Sequence, residues 1–437
     1  MNISIIGQGF VGLSLSVVLA SKNFSVNAIE NNLDKLSQLR VGKSPFYEPK
    51  LNFFLEKSLK TRKLQFFDSI ENIFDKTNII FITVPTPNKN GKIDLTYIKN
   101  VIENLIPLID NSSKKITIVI KSTIAPGTTE KFIIPLLNQS KKKIGKDLFL
   151  AINPEFLREG FAIDDQLNPH VVVIGCQNNE TMKILKNFYQ KIYPKKIPII
   201  FTNYATAELI KYSNNAFLAT KISFINSISN LCQTIHGANV DEVAKVIGMD
   251  PRIGSLFLQA GPGFGGSCLP KDLNALISVL KDNKVNSSLF ESVQKINDDQ
   301  IKLILTILKK NLNNLTGKNI SILGLAFKEN SDDIRESKSI ILIKELLLKK
   351  CKINAYDLLA ISNTKKIFGN KIFYSNSISK CIKQSDAIII MNSDKEFTKI
   401  SEIYTKKMKI PLIIDTRRIL KHTNSMLNHV AIGINDK

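Results

Sequence analysis

The sequence predicts an α/β protein in three parts: a doubly wound parallel-sheet domain, a helical centre and a second α/β domain. Three observations carry this. Short runs rich in Ile, Val and Phe alternate with helical periodicities as far as Thr202. A long proline-free apolar periodicity follows from Ala205. The strand–helix alternation then resumes near Lys318. Strands that alternate with helices pair in parallel and are covered on both faces, so each reads as a continuous apolar run.

The elements follow in order. Residues 2–6 read as a strand, Gly7-Gln8-Gly9-Phe10-Val11-Gly12 as a turn, 13–21 as a helix and 24–30 as the next strand. That is a βαβ unit. Further strands are expected at 78–85, 116–122, 148–153, 171–175 and 197–202, with helices at 95–109 and 182–192. Residues 205–236 form one or two long helices, and 240–247, 273–280 and 289–308 are also helical. In the last part, 319–325, 352–356, 387–391 and 412–415 are strands and 338–350 a helix. The polar stretch Leu312-Asn313-Asn314-Leu315-Thr316-Gly317 ends in glycine and marks a boundary. The expected domains are 1–202, 203–310 and 311–437.

Composition narrows the function. With 43% hydrophobic and 22% charged residues in 437, the chain can bury a large core without disulfides or structural metals. No apolar run reaches the ~18–20 residues of a membrane-spanning helix, and the N-terminus enters a strand directly, unlike a signal peptide. Cys176, Cys232, Cys268, Cys351 and Cys381 are odd in number and contain no C-x-x-C pair, which fits a reducing cytoplasm. His170, His236, His422 and His429 make no zinc-ligand spacing. The net charge of +22 suggests either a nucleic-acid or membrane-surface partner or a lysine-rich solvated surface. The basic residues are scattered in short clusters such as Lys141-Lys142-Lys143 without interleaved aromatics, which favours the solvated surface.

The N-terminal turn is G-x-G-x-x-G, placed between a strand and a helix. Gly7 permits the tight turn, Gly9 leaves room for a pyrophosphate, and Gly12 brings the helix close to the strand. Glu30 ends the next strand, where a carboxylate binds the ribose hydroxyls and repels a 2′-phosphate. The first domain is therefore a Rossmann domain for NAD rather than NADP.

The run Gly261-Pro262-Gly263-Phe264-Gly265-Gly266-Ser267-Cys268-Leu269-Pro270-Lys271-Asp272 surrounds a cysteine with glycine and proline. Cys268 is either a nucleophile, with Lys271 favouring its thiolate, or a buried inert thiol. Asn153-Pro154-Glu155-Phe156-Leu157-Arg158-Glu159-Gly160 follows a strand end, where ligand crevices form. Glu155 and Glu159 share a face if a helix begins there, either lining a site or solvated. Lys211 and Asn215 are likewise four apart on the long helix, lining a site or facing water. Lys328 and Arg335 follow a strand of the last domain in a turn without G-x-G-x-x-G. They either bind phosphate or form a basic solvated turn.

Together these motifs resemble the UDP-glucose/GDP-mannose dehydrogenase family, in order and over nearly the whole chain. The resemblance also rests on Tyr47-Glu48-Pro49, residues 211–226, Arg252-Ile253-Gly254 and residues 324–337. It implies an NAD domain, a helical centre that forms the dimer, and a Rossmann-like nucleotide-sugar domain. It implies a four-electron oxidation in which a sugar C6 alcohol becomes a carboxylate, UDP-glucose giving UDP-glucuronate, with GDP-mannose as the alternative. Cys268, Lys211, Asp272, Glu155, Asn215 and Thr123 would be the catalytic residues. Gly7, Gly9, Phe10, Val11, Gly12, Glu30, Lys35, Thr123, Glu159, Lys271 and Arg335 would hold NAD. Glu155, Phe156, Leu157, Arg158, Lys211, Asn215, Arg252, Phe257, Gly265, Phe327, Lys328 and Arg417 would hold the nucleotide sugar, with Arg252 reaching the neighbouring subunit's substrate. No metal, nucleic acid or membrane enters this reading. Phe161, His170 and Ser227 depart from residues usual in the family. A two-electron hydroxyacid dehydrogenase pairs a similar first domain with a helical one, but lacks the cysteine loop and the third domain.

Overall fold

Parallel strands demand long apolar runs, and the computed structural model gathers those runs into two large sheets. It describes residues 1–89, 91–193, 197–400, 406, 408–410, 412–420 and 428–435; His422 lies outside them. The chain divides into two compact units, Met1–Asn214 and Asn215–Lys437.

The strands of the first unit are β1 (Asn2–Ile6), β2 (Ser25–Ile29), β3 (Leu64–Phe67), β4 (Ile79–Ile82), the small hairpin β5 (Asn88–Lys89) and β6 (Lys92–Ile93), then β7 (Ile116–Ile120), β8 (Leu148–Ile152), β9 (Val172–Gly175) and β10 (Ile199–Thr202). The main sheet has the order β10-β9-β8-β7-β4-β1-β2-β3. Its central strands β4, β7 and β8 are buried at every position, as IIFI, ITIVI and LFLAI require. One expectation is corrected: the sheet is not wholly parallel, because β9 pairs antiparallel with β8. The connection from β8 passes through the short helix Ala162–Leu167, which packs on the helix Phe10–Ser21. It thus re-enters the sheet from the end at which β8 finished.

Two helices without a sequence signal, Leu33–Arg40 and Leu51–Lys60, flank β3. Asn32 caps the first by accepting from Lys35 N, 3.0 Å. The helix Tyr204–Cys232 contains no glycine or proline in 29 residues. The division between the two units falls within it.

In the second unit the helix predicted at 273–280 starts a turn earlier, at Leu269, immediately after Cys268 and with Pro270 in its first turn. Helices Val240–Gly248 and Ser288–Leu312 complete the middle of the chain. The last sheet comprises β11 (Asn319–Leu323), β12 (Lys352–Tyr356), β13 (Phe373–Tyr374), β14 (Ala387–Ile390), β15 (Leu412–Asp415) and β16 (Asn428–Ala431). Its order, β13-β12-β11-β14-β15-β16, is all parallel and doubly wound. Each sheet therefore has a switch point, β1/β4 and β11/β14, with a glycine at positive φ directly after the first strand: Gly7 at 95° and Gly324 at 92°.

Candidate active site

The glycine turn has the shape its spacing requires. A Cβ on Gly12 would lie 1.9 Å from Gly7 O, so the helix can start here only with glycine. A Cβ on Gly9 would meet nothing within 4 Å, so its face is open. Thr83 Oγ1 braces the turn by donating to Gly7 O, 2.7 Å. The buried Glu30 carboxylate accepts from Gln8 N (3.2 Å) and Asn32 N (3.0 Å), which ties the end of β2 to the turn. An open glycine face, a helix N-terminus and a carboxylate at the end of β2 fit a dinucleotide. Phe10 and Val11 are half-buried beside it, and Lys35 is exposed. Half-buried Thr123 accepts through its carbonyl from Thr86 Oγ1, 2.7 Å.

A second group forms at the C-terminal ends of β7 and β8. No helix begins at Asn153, so the shared face expected for Glu155 and Glu159 does not exist; the next helix starts at Ala162. Pro154 and the demand of the 153–161 segment for outside hydrogen-bond partners explain the irregular path. Glu48 supplies two of those partners' acceptors, taking Gly160 N at 2.7 Å and Ala162 N at 2.8 Å. Glu155 turns inward instead. Lys211 Nζ donates to its backbone oxygen (2.6 Å) and to Oε1 (3.1 Å), and Leu157 N donates to Oε2 (2.6 Å). Lys211 is 3% and Glu155 7% exposed, so neither side chain faces water. Burial pushes Glu155 up, but the Lys211 charge and the Leu157 hydrogen bond outweigh it and hold the carboxyl below its ordinary value. Phe156 lies under the Lys211 ammonium at 5.5 Å and against His170. Arg158 pairs with Asp165 at 2.7 Å and covers the exposed Phe161 ring. Glu159 is half-buried.

The third group lies in the second unit. Cys268 is the N-cap of the helix Leu269–Asp282 and is half-buried. A helix N-terminus favours thiolate. Asp272, 1% exposed at its carboxylate, follows one turn later and receives Asn215 Nδ2 at 2.6 Å. Lys271 also pairs with Asp272, at 2.6 Å. The preceding loop is laid against the turn after β11. Gly266 N donates to Arg335 O at 2.9 Å, and a Cβ on Gly265 would fall 2.3 Å from Glu336 O. Phe327 packs on Gly266, and Lys328 Nζ lies 5.6 Å from the Phe327 ring. The Arg417 guanidinium lies where a Cβ on Gly261 would sit, and burial pushes its pKa down to about 10. Cys268, Asp272, Asn215, Gly265, Phe327, Lys328 and Arg417 thus share one neighbourhood. Arg335 points outward to Asp333 at 2.6 Å. Arg252 stands apart with Asp250, its side chain 88% exposed, and Phe257 is half-buried at a left-handed φ of 65°.

Sequence reasoning missed several buried polar residues here. Lys121 directly follows β7, is 5% exposed, and donates to Asn153 Oδ1 at 2.9 Å. Glu208 accepts from Gly127 N and Thr129 N at 2.6 and 2.8 Å, holding the loop that follows Thr123. Asn297 clamps Phe264 through both its backbone groups, at 2.7 and 3.1 Å. A polar residue ending an apolar strand was a readable signal for Lys121; Glu208 and Asn297 have none, because partners distant in sequence define them. Among the described residues no cluster of His, Cys, Asp or Glu could hold a metal ion, and no helix is long and apolar enough to cross a membrane.

Comparison with known proteins agrees with this fold. Three family models match in order: the NAD binding domain of the UDP-glucose/GDP-mannose dehydrogenase family at residues 1–193, its central domain at 205–299 and its UDP binding domain at 321–422. The chain is 41% identical over 426 residues to a UDP-glucose 6-dehydrogenase of Rickettsia bellii, covering 96% of each. It is 38% identical over 419 residues to one of Bacillus subtilis, covering 95% of this chain and 93% of that one. The structure of a UDP-glucose dehydrogenase from the archaeon Pyrobaculum islandicum superposes with a TM-score of 0.90 at 30% identity, covering 96% of this chain and 94% of that one. From its glycine turn to its cysteine loop and second doubly wound sheet, the chain belongs to the UDP-glucose/GDP-mannose dehydrogenase family.

Proposed function

We propose that the chain catalyses the NAD-dependent oxidation of UDP-glucose to UDP-glucuronate. The observation that carries this reading is the Cys268 group: a half-buried thiol at a helix N-terminus, with the Asn215-bound Asp272 carboxylate one turn beyond it. The names of the relatives support UDP-glucose as the sugar nucleotide.

NAD, held at the glycine turn and Glu30, would supply the hydride acceptor for each of two oxidations. The chain's own residues do the rest. The Asp272 carboxylate takes up the C6 hydroxyl proton through a water, and the Lys211 ammonium stabilises negative charge on that oxygen. The Cys268 thiolate adds to the aldehyde carbon, giving a thiohemiacetal. Loss of hydride and proton leaves a thioester. Water positioned by the Glu155 carboxylate adds to the carbonyl, the C–S bond breaks, and carboxylate and thiolate part. Thr123 and Asn215 orient the reacting groups.

Gly7, Gly9, Phe10, Val11, Gly12, Glu30, Lys35, Glu159, Lys271 and Arg335 bind NAD in this reading. Phe156, Leu157, Arg158, Phe257, Gly265, Phe327, Lys328 and Arg417 bind the sugar nucleotide, with cations on its diphosphate. The domain limits 1–202, 203–310 and 311–437 are retained. The protein is a cytoplasmic homodimer or higher homo-oligomer joined through its helical centre. Phe217, Phe224 and Leu231 support this: they recur every seventh residue of one helix and are each at least 50% exposed. Arg252 then serves the neighbouring subunit.

The test is NADH formed per UDP-glucose consumed, with Cys268→Ser alongside. Two NADH per sugar, lost in the variant, are expected. One NADH with aldehyde released would overturn the thioester route. Turnover of GDP-mannose instead would keep the chemistry and change the sugar.

A further inference from the structure

Glu155 pairs with the buried Lys211 ammonium, and a second buried ammonium, Lys121, is anchored on Asn153, two residues before it; the reaction above employs only Lys211. Lys121 and Asn153 directly follow β7 and β8, whose register pairs Ile120 with Ile152. Their side chains therefore leave the sheet side by side, on one face. Lys121 Nζ donates to Asn153 Oδ1 at 2.9 Å. Asn153 cannot turn away, because its Nδ2 donates to Val173 O at 2.7 Å and its Oδ1 also accepts from Tyr189 OH. An amide is neutral, so this anchor fixes the ammonium without balancing its charge. The balancing charge is Glu155, two residues beyond Asn153, which acts on Lys121 in opposition to Lys211.

We propose that Lys121 is a positioning residue that keeps the Glu155 carboxylate ionised while Lys211 is engaged with substrate. The inference rests on the roles given above to Glu155 and Lys211. Lys211 holds Glu155 through one hydrogen bond to Oε1 and one to the backbone oxygen. When Lys211 turns to the sugar oxygen, that pairing lapses, and a buried carboxylate left with fewer partners takes up a proton. Lys121 stays, pinned by Asn153. The charges facing Glu155 are Lys211 from the Tyr204–Cys232 helix and Lys121 from the end of β7, with the Leu157 N–H from its own segment. Those facing Lys121 are Glu155 and Lys211, and Tyr189 of the helix Asn179–Ile192 shares its acceptor. Burial pushes Lys121 down to about 8, so it still carries its charge at neutral pH.

The test uses Lys121→Gln, which removes the charge and retains a donor toward Asn153. With UDP-glucose, the acid limb of the kcat–pH profile should move up by about one unit, and thioester-bound enzyme should accumulate about tenfold more below it, as intact-mass spectrometry reads. An unmoved limb overturns the inference. Unchanged NAD affinity reports that the variant is folded; should that fail, Lys121→Met replaces it. A second readout needs no turnover. Infrared difference spectra against Glu155→Gln follow the Glu155 carboxyl in a Lys211→Met background. Adding Lys121→Gln should raise its titration by about one unit or more, and equal titration curves overturn the inference. Should the unmodified enzyme form no NADH from UDP-glucose, the catalytic reading falls, and the infrared titration alone decides Lys121.

Discussion

Replacing Glu155 by glutamine should destabilise the protein far more than replacing Lys211 by methionine. The reason is a count of charges. Lys121, Glu155 and Lys211 are 5%, 7% and 3% exposed, and together carry two positive charges and one negative. Glu155→Gln leaves two buried ammonium groups and no carboxylate. Lys211→Met leaves Lys121 opposite Glu155, one charge of each sign. Removing one partner of a buried ion pair costs about 3–5 kcal/mol. A ceiling applies, since Lys211, the lysine that loses its ion pair, can release its proton. From an ordinary pKa of about 10.4, that costs about 4.6 kcal/mol at pH 7 and only about 1.9 at pH 9. The unfolded chain binds more protons than the folded variant throughout this range, so the variant's stability rises with pH relative to the parent. Differential scanning calorimetry of the full chain at both pH values is the assay. We expect Glu155→Gln to lower the midpoint by about 10 °C at pH 7 and by less than about half of that at pH 9. Lys211→Met should cost about 2–4 °C. An equal loss in both variants, or a Glu155→Gln deficit that ignores pH, would refute the charge count.

Gly12→Ala forces a Cβ against Gly7 O, and isothermal calorimetry should show NAD affinity reduced by about fivefold or more, from ~1–3 kcal/mol of overpacking. Glu30→Ala removes the carboxylate held at the end of β2, so the ratio of the dissociation constants of NADP to NAD should fall by about tenfold or more. Asn297→Ala strips Phe264 of two buried hydrogen bonds at a cost of about 1–3 kcal/mol. Steady-state kinetics should show a lower kcat, because the cysteine loop loosens. Phe224→Glu places a charge in the stripe of Phe217, Phe224 and Leu231, and light scattering should show the proposed dimer converted to monomers.

Local sequence determined whatever depends on neighbours along the chain. Gly7, Gly9 and Gly12 spell out a turn whose clash distances leave no other residue type at Gly12. The apolar runs at β4, β7 and β8 specify strands covered on both faces, and 29 residues without glycine or proline specify the long helix. Tertiary structure decided the rest. Whether Lys211 faced water or a site depended on Glu155, 56 residues away. The reversal of β9 depended on how the preceding segment packs on Phe10–Ser21, which no periodicity records. Lys121 stood in plain view after a strand, yet its meaning required knowing that β7 and β8 are neighbours in register. Periodicity reports which face of an element is apolar. It is silent on which two polar groups from separate elements will share a buried space, and there Coulomb attraction and desolvation set what each residue can do.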